Sequence, residues 1–138
     1  MAQFAPLKPT TILIVEDQAI VRLEFAEWLT EMGLLVLASK DADEAIEILD
    51  THPEIAILLT DIRMPGSMDG LRLAHHVRGR WPPVKIIIVS GFLDTPQSAL
   101  PMRSLFVPKP VERAWLWQAL AHMIDDSQPD PAGWKAAS

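Results

Sequence analysis

Short β-branched runs alternate with helix-periodic stretches along this chain, and that alternation constrains its fold more than any other feature. Residues 11–15 read Thr-Ile-Leu-Ile-Val and run into Glu16-Asp17. A run this short, apolar at successive positions and rich in branched side chains predicts a buried strand. From about Ala19 to Met32, Val21, Phe25, Trp28, Leu29 and Met32 recur at helical spacing, and Gly33 ends the helix. Residues 34–38 predict a second strand. The helix after it turns Ala42, Ala45, Ile46 and Leu49 inward and closes at His52-Pro53. A third strand covers 55–59 and ends in Thr60-Asp61, and Met64 to Gly70 is turn chemistry. A helix over 71–81, with Leu71, Ala74 and Val77 inward, is broken by Pro82-Pro83. A fourth strand over 84–89 runs into Ser90-Gly91. Residues 93–102 carry Pro96 and Pro101, so any helix there is short. A fifth strand over 104–107 ends at Pro108-Lys109-Pro110, and a last helix shares Leu116, Leu120, Met123 and Ile124 on one face. From Asp125 the chain is polar, with Pro129 and Pro131. These boundaries divide it into an extension over 1–9, one domain over 10–125 and a flexible tail over 126–138.

Strands that alternate with helices predict an α/β fold: a five-stranded parallel sheet, doubly wound, with helices on both faces. Ligands of such folds sit beyond the carboxyl ends of the strands. The polar residues fall at those ends: Glu16 and Asp17 after the first strand, Asp61 after the third, Ser90 after the fourth and Lys109 after the fifth.

Composition narrows the function classes. A length of 138 residues suits one domain, and the 49% hydrophobic content suits a packed core. The net charge of −6, with scattered Lys and Arg, argues against unaided nucleic-acid binding. The absence of cysteine excludes a disulfide framework, a thiolate nucleophile and a Cys-ligated metal. No apolar run approaches the roughly 18 residues that span a bilayer, and residues 1–9 hold two prolines and no apolar signal core. The expectation is a soluble, cytoplasmic protein.

Carboxylates a few ångströms apart repel by about 1–4 kcal/mol per pair at water-like to surface-like dielectric. A cluster of Glu16, Asp17 and Asp61 therefore wants a proton or a cation. With oxygen donors and no His or Cys among them, Mg2+ fits best. A carboxylate flanked by Mg2+, a lysine and a hydroxyl suits phosphoryl transfer. Asp61 would attack phosphorus, the metal and Lys109 would neutralise the phosphoryl oxygens, and Ser90 would donate a hydrogen bond to one of them. Gly91 would leave the group room beside the backbone.

At these residues the chain resembles the receiver domain of bacterial response regulators, over roughly residues 10–125. The matching features are Glu16-Asp17, Asp61-Ile-Arg-Met-Pro65, Met68-Asp-Gly70, Ser90-Gly91 and Phe106-Val-Pro-Lys-Pro110. The resemblance implies a flavodoxin-like strand order of 2-1-3-4-5. It implies that Asp61 is the phosphoacceptor, loaded by a sensor histidine kinase or a histidine phosphotransfer protein. It implies that Asp17, Asp61 and the backbone carbonyl of Arg63 ligate Mg2+, with Glu16 assisting through water. Lys109 would contact the phosphoryl group, and the Lys109-Pro110 bond would be cis. Ser90 and Phe106 would form a switch pair that reshapes the face made by the 93–102 segment, the fifth strand and the last helix. That face would bind a downstream protein target or a second copy. The departures are Glu16 in place of the more usual Asp, a loop lengthened by one residue at Gly66-Ser67, and a Phe106 without a hydroxyl.

Such a chain is a signalling switch rather than a turnover enzyme, either stand-alone or cut from a longer regulator or hybrid kinase. An Mg-dependent aspartyl phosphatase would need a second Asp two residues after the nucleophile, where Arg63 stands. A flavin carrier would need a Gly/Ser/Thr-rich phosphate loop where Glu16-Asp17-Gln18 stands. His75 and His76 are adjacent on a helix and point apart, so they form no metal pair. Trp28 belongs to the core stripe. Trp115 and Trp117 lie off the inward stripe, half-buried or offered to a partner. Phe92, with Arg63, would flank the path of an attacking water.

Overall fold

The computed structural model describes residues 5–91, 96–125, 130, 131 and 133–135. The elements follow in the order β1 (Thr11–Val15), α1 (Ala19–Glu31), β2 (Leu35–Ser39), α2 (Ala42–Thr51), β3 (Ile55–Asp61), α3 (Gly70–Arg80), β4 (Lys85–Ser90), a 3-10 turn (Gln97–Ala99), β5 (Ser104–Pro108) and α4 (Arg113–Ile124). The strands form one parallel sheet in the order β2-β1-β3-β4-β5. The expected architecture and strand order are therefore present, and residues 93–102 hold only the 3-10 turn among their described positions.

The alternation of side chains across a strand explains why these strands are apolar at every position. Ile12 and Ile14 face one core, with Phe25 and Leu29 of α1 and Leu116, Ala119, Leu120 and Met123 of α4. Leu13 and Val15 face the other, with Ala42, Ala45 and Leu49 of α2 and Leu73, Ala74 and Val77 of α3. Both faces of β1, β3 and β4 are covered, as a parallel sheet requires.

Several boundaries differ from those predicted, for local reasons. β2 begins at Leu35 because Leu34 still belongs to the end of α1. The Gly33 amide donates to Thr30 at 3.0 Å and the Leu34 amide to Leu29 at 3.1 Å, with Gly33 at φ +100°. This paired closure needs a left-handed residue, and the buried Leu34 supplies its apolar contact. α3 begins at Gly70, one residue early, because the Asp69 side chain accepts from the Arg72 amide at 2.9 Å and caps it. Its inward residue is Leu73, while Leu71 is only half-buried. Asp41 caps α2 in the same way.

Described residues of the flanking segments are packed on the domain. The Leu7 amide donates to Met32 at 2.8 Å, and Leu7 lies against the α1/α4 core. The flexible tail expected after Asp125 is corrected at residues 133–135. Trp134 pairs antiparallel with Leu105, because the outer side of β5 leaves backbone groups that a passing chain can bond.

No described helix is long and apolar enough to cross a membrane. Gly79 offers a test of helix α3: a Cβ there meets nothing within 4 Å. Gly79→Ala should raise stability by about 0.5–1 kcal/mol through lost unfolded-state freedom and better helix propensity, read as a higher urea midpoint.

Candidate functional site

The carboxyl ends of β1, β3, β4 and β5 converge on one edge of the sheet, because all of the strands run parallel. β1 delivers Glu16 and Asp17 just past Val15, and Asp61 is itself the last residue of β3. β3 and β4 register Asp61 opposite Val89, which sets Ser90 at the adjacent strand end. β4 and β5 register Ser90 opposite Pro108, and the Lys109 amide donates to the Ser90 carbonyl at 2.9 Å. That bond pins the lysine's main chain to β4. The expected cis peptide at Lys109-Pro110 is present.

The side chains then meet. Lys109 Nζ lies 2.6 Å from Asp61 Oδ2 and 3.7 Å from Glu16 Oε1. Asp61 Oδ1 accepts the Arg63 amide at 3.3 Å. Oxygens of Glu16, Asp17 and Asp61 lie within 4.8 Å of one another. Glu16 and Asp61 are buried, while Asp17 is exposed and opens the cluster to solvent.

Electrostatics follow from this crowding. Burial pushes the Glu16 carboxyl up to about 7. The Gln18 amide, donating to Glu16 Oε2 at 3.0 Å, pulls it down, and the neighbouring Asp61 and Asp17 push it further up. Burial acts to lower the Lys109 pKa, but its bond to Asp61 and the charges of Asp61 and Glu16 more than offset this and raise it. One lysine thus faces several carboxylates. The donor set is all oxygen, and the excess negative charge suits a small hard divalent cation. Glu16, Asp17 and Asp61 are the residues that could hold it.

The other sequence-picked residues sit as follows. Ser90 is fully buried at the end of β4. Phe106 pairs in register with Ile88 and lies half-buried against the α2/α3 core. A Cβ at Gly91 would meet open space. The lengthened loop is anchored: Gly66 takes φ +110°, and the Ser67 hydroxyl donates to Asp43 Oδ1 of α2 at 2.7 Å. His75 Nε2 lies 2.7 Å from the Ala99 carbonyl, while His76 packs edge-on to Trp81. Trp115 and Trp117 are half-buried against the α1/α4 core, and the Trp117 indole donates to the Ala5 carbonyl. Phe92 lies outside the described residues.

Two positioning residues, Thr60 and Arg22, were not picked out from sequence, and Gly70 was picked out only as part of Met68-Asp-Gly70, without its contact to Asp61. The Thr60 hydroxyl donates to the Asp61 carbonyl at 2.9 Å. Arg22 Nη1 donates to the Glu16 carbonyl at 2.8 Å. Gly70 packs directly on Asp61, where a Cβ would lie 1.6 Å from the Asp61 carbonyl oxygen. Its sequence signal was a glycine directly after a capping Asp, where most residues would continue a helix better.

Comparison with known proteins agrees with this arrangement. The family described as response regulator receiver domain matches residues 12–121. The chain is 33% identical over 124 residues to the DNA-binding transcriptional regulator NtrC of Klebsiella pneumoniae, covering 84% of this chain and 26% of that protein. It is 33% identical over 119 residues to the sensor kinase CckA of Brucella abortus, covering 83% of this chain and 12% of that one. The chain therefore spans about a quarter or less of the length of these two relatives. Among solved structures, a response regulator receiver protein from Sinorhizobium medicae superposes with a TM-score of 0.76 at 31% identity, covering 85% of this chain and 95% of that one.

Proposed function

Because the chain belongs to the response regulator receiver domain family of two-component systems, we propose that Asp61 accepts a phosphoryl group from a phosphohistidine donor. The observation that carries this is the Lys109 ammonium 2.6 Å from Asp61 Oδ2, inside a cluster that also holds Glu16 and Asp17.

A carboxylate oxygen of Asp61 attacks phosphorus, the P–N bond to the donor imidazole breaks, and the imidazole leaves with the electron pair and takes up a proton. Asp61 is held for this by its place in β3, with the Arg63 amide on Oδ1 and Lys109 on Oδ2. Once phosphorylated, the Asp61 carboxyl group carries less charge and the phosphoryl oxygens carry more. Lys109 is then drawn from the carboxylate toward those oxygens. Asp17, Asp61 and the backbone carbonyl of Arg63 would hold Mg2+, with Glu16 acting through a water molecule. Bound there, Mg2+ supplies charge neutralisation for the phosphoryl oxygens.

Ser90 and Phe106 would read the result. The Ser90 hydroxyl turns toward the phosphoryl group, and Phe106, only half-buried against the α2/α3 core, moves inward. The readout is a changed protein-binding face, so the domain acts as a switch rather than as a turnover enzyme. Its partners would be a sensor histidine kinase or histidine phosphotransfer protein upstream and a protein target downstream, in the cytoplasm.

The test is incubation with acetyl phosphate and Mg2+, followed by intact mass. The expected result is a gain of one phosphoryl group that chelation of Mg2+ with EDTA prevents. No gain from acetyl phosphate or from a phosphohistidine protein would overturn the reading.

A further inference from the structure

Trp134 and Lys135 lie along the outer edge of β5. We propose that residues 133–135, seated against Pro131, act as an internal strap that closes the β5 edge against a second copy of this chain. This goes beyond the phosphoacceptor reading and stands without it.

The strap is built from backbone contacts and two anchors. Trp134 pairs antiparallel with Leu105. The Lys135 amide donates to the Ser104 carbonyl at 2.8 Å, and the Arg103 amide donates to the Lys135 carbonyl at 2.7 Å. A turn precedes it, with the Trp134 amide donating to Pro131 at 3.0 Å and Gly133 at φ +85°. Pro131 is buried, and Trp134 packs against the core shared by α1 and α4. On the other side, Lys135 Nζ donates to the carbonyls of Gln97 and Leu100, at the 3-10 turn. One short segment thus joins the α4 side, β5 and the 3-10 turn. Arg103 takes φ +57°, a left-handed conformation that side chains larger than glycine seldom adopt. The residue held there is the one whose amide meets the strap.

The second copy follows from symmetry. β5 is an edge strand, and an open edge recruits other strands. Two copies related by a two-fold axis would pair their β5 edges antiparallel. That is the direction Trp134 already takes beside Leu105. A second β5 would need the same Ser104 carbonyl and Arg103 amide, so strap and second copy exclude each other. The strap is short, but it is tethered, and its effective concentration at the edge exceeds that of a free partner.

Two variants of the 138-residue chain test this. Lys135→Pro removes the amide bonded to Ser104 and the ammonium bonded to Gln97 and Leu100. Trp134→Ala removes the anchor in the core. Hydrogen exchange at the Arg103 amide reads the strap, and sedimentation reads self-association. The wild-type chain should be monomeric with a protected Arg103 amide. Both variants should melt cooperatively, lose about tenfold or more of that protection, and dimerise at a protein concentration at least about tenfold lower. If Arg103 exchanges equally fast in wild type and variants, the strap does not hold in solution. If the variants lose protection and stay monomeric over the same concentrations, a second copy is not the competitor. Either result overturns the proposal.

Discussion

Asp61→Asn should leave the chain folded and reduce phosphorylation by acetyl phosphate by at least about 100-fold, to no detectable gain in intact mass. The amide keeps the size of the carboxylate, and its oxygen can still accept from Lys109, but it cannot attack phosphorus. Stability should change little, because two effects oppose. One carboxylate is removed from a cluster in which each close pair costs about 1–4 kcal/mol. Against that, Lys109 loses the partner at 2.6 Å and keeps Glu16 at 3.7 Å. The half-exposed position of Lys109 screens the loss. A net shift within about 2 kcal/mol, measured by urea unfolding, is expected. A variant that still gains a phosphoryl group at the wild-type rate would place the acceptor elsewhere in the chain.

Gly70→Ala should be the most damaging single-methyl change in the domain. The added Cβ would lie 1.6 Å from the Asp61 carbonyl oxygen, 2.6 Å from its carbonyl carbon and 2.8 Å from Thr60 Oγ1. Two of these atoms are backbone, at the end of a central strand, so no side chain can swing aside. Relief requires the first turn of α3 to move away from β3. That motion breaks the Gly70 amide bond to Ile62, 2.7 Å long, and disturbs the loop that presents Arg63 to Asp61. A loss on the order of 3 kcal/mol is expected, with slower phosphorylation in the fraction that remains folded. Gly79→Ala, in the same helix with open space around it, is the control. Both can be read from urea midpoints. Equal stability of the two variants would mean that α3 docks on β3 less closely than the structure shows.

The contrast between these two glycines shows where sequence reading stops. β1, β3 and β4 were legible because a buried parallel strand has a composition of its own. Their polar terminal residues pointed to one edge because all of the strands run in one direction. The convergence of Glu16, Asp17, Asp61 and Lys109 was legible for that reason. The closeness of Gly70 to Asp61 was not, since it depends on the angle at which α3 meets β3. Arg22 and Thr60 escaped notice because both bond main-chain carbonyls, and a residue's own letter does not name such a partner. Leu34 was read as strand because the helix closure that claims it needs the left-handed Gly33 and the buried leucine together. The strap along β5 was hidden by proline-rich polar composition, which resembles free tail until an edge strand is found beside it.

The two cores on opposite sides of the sheet have an evolutionary consequence. Among the helices, Ile12 and Ile14 pack in one core with α1 and α4, and Leu13 and Val15 in the other with α2 and α3. A substitution under one pair of helices can be compensated on that side without disturbing the other. The strands between act as a firewall against the spread of packing errors. Lineages could therefore remodel the helices on one side of the sheet while keeping those on the other, and carry the same charged edge through both.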